Sequence, residues 1–260
     1  MIQNTIDQRP RKKSTRYAIY DAILENIQYC KWKPGMPISE ISLADMFHVS
    51  RTPVREALFL LSQNGFVDIY PQSGSYVSKI DLKRIREIQY LRFHVETPIL
   101  MELAEKKPPI PESLERTLLL EEFAAQKGNW AECVQLDYSI HEELMILADH
   151  QEIWNLIRPE LPHYTRIRFF ESNYTEFQGD APRTLEEHKW ILNCIASGDT
   201  NGLKDALVSH YNHLIAINQN YQSDSISQYR LKYIQQYPEF FKNVEALYGD
   251  VKIRPVDVSP

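Results

Sequence analysis

The stretch that most restricts the fold of this chain runs from Ile41 to Phe66 and reads ISLADMFHVSRTPVREALFLLSQNGF. Ile41, Leu43, Ala44 and Phe47 predict a short apolar helix. Val49 and Ser50 make a turn, and a second helix begins at Ser50 or Thr52. Ser and Thr suit that boundary, because a side-chain oxygen takes a backbone N–H that the helix start leaves unpaired. Pro53 falls in the first turn, where its missing N–H costs little. Val54, Ala57, Leu58 and Leu61 recur at helical spacing and predict an inward face. Asn64-Gly65 ends the helix. This is the punctuation of a helix-turn-helix, with Arg51, Thr52 and Arg55 at the exposed start of its second helix. The start of such a helix reaches base edges in the major groove, and Arg reads guanine there through two parallel hydrogen bonds.

The charge balance looks wrong for a DNA reader until it is divided. The 260 residues carry a net charge of -6. Residues 1–79 hold ten Lys/Arg and seven Asp/Glu, so this part is +3 and the remainder −9. Phosphate binding needs a locally positive surface, not a positive whole. Two domains with different partners are expected. No apolar run is long enough to span a membrane, the first residues are polar, and the three cysteines, Cys30, Cys133 and Cys194, suggest no disulfide framework. A cytoplasmic protein with no membrane partner is the expectation. Eight glycines and frequent helical periodicity point to a mostly α fold.

In order along the chain, residues 1–14 read as a flexible arm, with Arg9, Arg11, Lys12 and Lys13 able to touch DNA backbone or minor groove. Residues 15–30 give a helix with Ile19, Ile23 and Ile27 on one face, followed by a Lys33-Pro34-Gly35 turn. Residues 66–71 and 75–78 predict two strands around Gln72-Ser73-Gly74, a β-hairpin wing whose glycine lets backbone approach a groove.

SRTPVREAL, preceded by KPG and LAD and followed by NGFV and a GSYV wing, resembles the GntR family of bacterial transcription regulators over residues 15–79. The resemblance implies a winged helix in which Arg51, Thr52 and Arg55 contact operator, assisted by the wing at Gln72 and Gly74. Two departures stand out. The glycine usual before the KPG turn is replaced by Tyr29 and Cys30, and the glycine common between the two helices by His48.

Asp81 caps a long helix over residues 82–106, and Pro108, Pro109 and Pro111 then break the chain. Helical patterns resume at about 112–127, 130–149, 152–158, 160–175, 183–197 and 199–222, with short segments at about 226–236 and 238–248. Residues 80–248 thus read as an all-α antiparallel bundle, and 249–260 as a loose tail. Tyr229, Tyr233, Tyr237, Phe240 and Phe241 read as packing.

Polar residues interrupt three of the bundle's inward faces. Asp137 and His141 lie four apart among Cys133, Leu136, Ile140 and Leu144, so their side chains meet on adjacent turns. His188 falls on the face of Leu185, Leu192 and Ile195, and His210 on that of Leu203, Leu207 and Leu214, with His213 on its flank. A buried charge is paired, neutralised or bound to metal. Spacing alone leaves two readings open: histidines hydrogen-bonded in the core, or a site for Zn, Ni, Mn or Fe between facing helices.

LDYSIHEEL, EEHKWILNCIASGD and ALVSHYNHL resemble the C-terminal effector domain of the FadR subgroup, the type called FCD, over residues 81–220. The resemblance implies a divalent metal on Asp137, His141, His188 and His210, with open positions for a small organic acid, sugar-derived acids among them. Arg166 and Arg168 lie on the helix expected beside the cavity, and an Arg grips a carboxylate through two bonds. Two residues apart, at most one of them faces in. Arg92 is a further candidate, with an ordinary pair to Glu96 as the simpler reading.

The reading is a non-enzymatic, homodimeric transcriptional regulator that binds double-stranded, palindromic operator DNA under control of the acid. Dimerisation is expected because one recognition helix makes too few contacts. Two alternatives are a metal-dependent hydrolase or lactonase, for which Glu142 and Glu143 point the wrong way, and a purely structural metal.

Overall fold

The computed structural model describes residues 15–174, 181–212 and 234–248. The expected basic arm, His213, Leu214, most of the segment at 226–236 and the tail from 249 lie outside them.

The N-terminal part is a winged helix. α1 (Thr15–Gln28) buries Ile19, Ile23 and Ile27. α2 (Glu40–Phe47) starts at Ser39, whose side chain accepts from the Ser42 amide, and ends at His48 in the left-handed conformation (φ 53°, ψ 46°). α3 (Arg51–Gln63) buries Val54, Ala57, Leu58 and Leu61, the face read from their spacing. Ser50 stands at its N-terminus without a side-chain capping bond, contrary to the reason given above for its presence. β2 (Val67–Tyr70) and β3 (Gly74–Val77) form the wing in antiparallel register, Tyr70 opposite Gly74. A third strand, β1 (Pro37–Ile38), was not expected; its two residues pair with β3 beyond the proline turn. Cys30 (φ 50°), like His48, takes the left-handed backbone that the family's glycine suits. Both residues therefore hold a conformation that glycine adopts more easily, with the strain of a Cβ there.

β4 (Ile80–Asp81) leads into α4 (Leu82–Lys106), which starts where Asp81 Oδ1 accepts from the amides of Lys83 and Arg84. Then come α5 (Glu112–Gln126), α6 (Trp130–Leu147), α7 (Gln151–Ile157), α8 (Leu161–Tyr174), α9 (Ala181–Ser197) and α10 (Thr200–Asn212). α4 packs against α6, α8, α9 and α10, and so forms the axis of the bundle. Leu100, Leu144, Trp154, Ile195 and Leu207 lie in its core.

The C-terminal segment differs from the helix expected over 238–248. Pro238–Phe240 makes one 3-10 turn, β5 (Phe241–Lys242) pairs in parallel with β4, and one helical turn follows at Glu245–Tyr248. The aromatic residues do pack: Phe241, Phe240 and Tyr237 all meet the fully buried Phe170 of α8 edge-on. Burying a Phe side chain favours folding by about 1.5–3 kcal/mol. That gain is taken here by an extended backbone, because Phe241 reaches Phe170 from a strand that also satisfies the linker's backbone bonds.

Candidate metal centre and DNA-reading face

α6 supplies two of the four polar side chains, Asp137 and His141, one turn apart on the face that also buries Cys133, Ile140 and Leu144. His188 comes from α9 and His210 from α10. All four are buried, and one potential ligand atom from each lies within 4.8 Å of the others. His141 Nε2 and His210 Nε2 are 2.9 Å apart. Asp137 Oδ1 is 3.4 Å from His188 Nε2 and 4.0 Å from His210 Nε2.

Behind each ring stands a carboxylate. His141 Nδ1 is 2.6 Å from Glu96 Oε2, His188 Nδ1 is 2.8 Å from Glu121 Oε2, and His210 Nδ1 is 3.4 Å from Glu187 Oε2. A ring nitrogen facing a carboxylate keeps its proton, so the other nitrogen presents a lone pair. The three Nε2 atoms thus gather beside Asp137. His141 Nε2 and His210 Nε2, 2.9 Å apart, are satisfied by one N–H or by a cation between them, and His188 Nε2 is buried without a well-formed hydrogen bond, 3.4 Å from Asp137 Oδ1. The donor set and its orientation fit a divalent metal.

The surrounding charges reinforce this. Burial raises the Asp137 carboxyl, but the Arg168 guanidinium and the His188 bond outweigh it and hold the group well below the usual carboxylate range. Burial pushes His188 down, yet the Glu121 charge and the Asp137 bond carry it up to about 9. Burial and the neighbouring imidazoles take His210 down to about 3, against its bond to Glu187. Glu96 is held by Arg92 Nε at 2.8 Å and by the Tyr211 hydroxyl at 2.6 Å.

The three candidate effector arginines separate. Arg168 Nη1 donates to Asp137 Oδ2 at 3.1 Å, at the edge of the cluster. Arg92 makes the expected pair with Glu96, both buried, and its Nη2 has no hydrogen bond among the described residues. Arg166 turns away from the cluster and is buried against Ser78 of the winged helix, donating to its hydroxyl and carbonyl. Glu142 pairs with Arg158 at 3.5 Å and Glu143 accepts from Thr117 at 2.5 Å, so neither reaches the cluster as a general base would.

On the DNA-reading face, Arg51 and Arg55 are more than half exposed at the start of α3 and share one carboxylate oxygen, Glu40 Oε2, at 2.9 and 2.7 Å. Thr52 beside them is exposed. Gln72 (φ 62°) and Gly74 (φ 106°) shape the exposed tip of the wing. Sequence reasoning missed Glu121, Glu187, Tyr211 and Glu40. Glu187 adjoins His188, but Glu121 sits in LEEF, where a carboxylate on a helix reads as solvated.

Residues 15–77 match the family model of bacterial regulatory proteins, gntR family, and residues 87–213 that of the FCD domain. An HTH-type transcriptional regulator in an unstable DNA locus of Streptomyces ambofaciens is 30% identical over 200 residues, 76% of this chain and 82% of that protein. The chain belongs to the GntR family. Another relative, the HTH-type transcriptional repressor RspR of Escherichia coli K12, is 29% identical over 216 residues, 82% of this chain and 89% of its own. Among solved structures, E. coli McbR/YncC shares the fold with a TM-score of 0.62 at 18% identity, over 87% of this chain and all of that one. The chain is therefore a DNA-binding transcriptional regulator of the GntR type with an FCD domain, and these families are of regulators, not enzymes. No helix among the described residues is long and apolar enough to cross a membrane.

Proposed function

We propose that this GntR regulator senses a small organic acid, a sugar-derived acid being one form, through a divalent metal held by Asp137, His141, His188 and His210. The observation that carries the reading is the convergence of three buried imidazoles on one carboxylate, each ring with a second carboxylate behind it. The edges of the set, 2.9, 3.4 and 4.0 Å, are uneven. Asp plus three imidazoles would hold Zn, Ni, Mn or Fe, and an ion that takes more than four donors would keep positions for a ligand. Arg168 beside Asp137, and Arg92 with its unpaired Nη2, supply cationic partners for an acid bound there.

In this reading, residues 15–79 bind palindromic operator DNA in the cytoplasm through Arg51, Thr52, Arg55 and the wing at Gln72 and Gly74. Residues 80–248 hold the acid and pair two chains into a dimer. The acid acts by binding DNA-competent and incompetent dimers with different affinity.

Native mass spectrometry of the purified full chain tests the assembly, with two metal ions per dimer expected. A panel of hydroxy- and dicarboxylic acids, each with and without chelator, tests the sensor by thermal shift and operator titration. An acid that stabilises only the metal-loaded protein and changes operator affinity is the expected result. A metal-free protein, or His188→Ala with unchanged metal content, overturns the reading.

A further inference from the structure

We propose that Arg166 is the positioning residue through which a change at the Asp137 centre reaches the recognition helix. This rests on the cluster being the metal-bearing sensor. Arg166 and Arg168 are two residues apart on α8, about 200° around a helix, and so address opposite neighbours. Arg168 Nη1 holds Asp137 Oδ2 at 3.1 Å. Arg166 Nη1 holds Ser78 Oγ at 3.0 Å, and its Nη2 donates to the Ser78 carbonyl. Ser78 Oγ in turn donates to the Gly65 carbonyl at 2.7 Å. Gly65 follows the last residues of α3, so three side chains, those of Arg168, Arg166 and Ser78, and one helix separate a proposed metal ligand from the end of the helix that reads DNA.

The rest of that face of α8 grips the same turn. His163, one turn before Arg166, donates from Nε2 to the Asn64 carbonyl at 2.8 Å and stacks on Phe66 with ring centroids 3.9 Å apart. Arg84 of α4 pairs with Glu160 and also reaches the Asn64 carbonyl at 3.3 Å. Closely packed helices move as units, so a change in the Asp137–Arg168 contact is a change in where all of α8 sits. A cavity of about 260 Å³ beside α8, lined by Gln28 and Tyr29 on one side and Tyr138, Leu161 and Thr165 on the other, leaves it room.

The chemistry of the Arg166 contact suits a latch better than a weld. The guanidinium is 1% exposed, and among the described residues it bonds only the neutral oxygens of Ser78, with Nε unpartnered. A buried cation that meets neutral acceptors recovers little of what its desolvation costs. The docked arrangement is then favoured by a margin that binding at the cluster can overcome.

The test uses the full chain and an operator duplex selected in vitro on the wild type. Operator Kd is measured on metal-loaded and on chelator-treated protein, and the ratio is the coupling. The wild type is expected to show a ratio of about fivefold or more. Arg166→Met is expected to bring it close to one while metal stoichiometry stays unchanged, with Arg166→Lys in between. Ser78→Ala, which removes only the hydroxyl leg, is expected to reduce it and serves alone should Arg166→Met not fold. Hydrogen exchange at residues 64–78 should respond to metal in the wild type and not in Arg166→Met. A merely structural Arg166 would weaken both Kd values by one factor and leave the ratio intact, which overturns the proposal. No metal bound overturns the sensor reading and the latch together; a wild-type ratio of one, or a normal wild-type ratio that persists in both variants, overturns the latch alone.

Discussion

Glu121 offers the sharpest test of how the cluster is built, because it touches none of its neighbours as a ligand would. Its Oε2 faces His188 Nδ1 at 2.8 Å, and both side chains are 1% exposed. Its Oε1 has no hydrogen-bond partner among the described residues, so this one contact anchors it. Carboxylates behind metal-binding histidines fix the tautomer and raise ligand basicity, and their loss costs about 10–100-fold in metal affinity. Glu121→Gln keeps an acceptor of the same shape but removes the charge, and so belongs at the low end, about tenfold or about 1.4 kcal/mol. Glu121→Ala also strands a buried N–H and frees the ring to rotate, and so belongs near 100-fold, about 2.7 kcal/mol. Competition against a chromophoric chelator reads both affinities on folded protein. Metal affinity unchanged in Glu121→Ala would refute the claim that His188 is aimed by the carboxylate behind it.

Three further outcomes follow from the winged helix and the junction. Arg51→Ala should cost about 1–3 kcal/mol at the cognate operator; an equal loss on random duplex would show that Arg51 contacts only phosphate. His163 is held down to about 3, first by burial and then by the Arg84 charge. The folded chain therefore takes this proton only well below the unfolded value of about 6.5, and stability present above pH 6.5 is lost as pH falls, by about 1.4 kcal/mol at pH 5.5. Urea midpoints at the two pH values should fall further for the wild type than for His163→Gln, and equal slopes would contradict this. His48→Gly removes a Cβ from a left-handed position and should raise stability by about 0.5–1 kcal/mol, read as a higher urea midpoint; a lower midpoint would mean that the ring makes a contact worth more than the strain.

The parts of this molecule that could be read from sequence are those whose logic is local. Asp137 and His141 are four residues apart, and one helical turn makes them neighbours whatever the rest of the chain does. The α3 face follows from spacing in the same way. What could not be read depends on which way a helix is rotated against its neighbours. Arg166 and Arg168 look alike in HYTRIRFF, and only the docking of α8 between the winged helix and α6 sends one to Ser78 and the other to Asp137. Glu121 was illegible because the ring it braces is 67 residues away. Residues 238–248 misled for a different reason: their apolar content is real, but Phe241 finds its pocket from a strand, guided by the unpaired edge of β4.

The four proposed ligands run from residue 137 to residue 210, and the braces behind them from residue 96 to residue 187. During synthesis, Asp137 and His141 leave the ribosome long before His210 exists, and no socket is present until α10 has folded against α4. Whatever ion is captured is thus held by its full ligand set only in the assembled chamber, its binding coupled to the docking of α10. Selection among ions then falls to the rigidity of that chamber and to cellular supply at that moment, rather than to the affinity order of loose imidazoles on a growing chain.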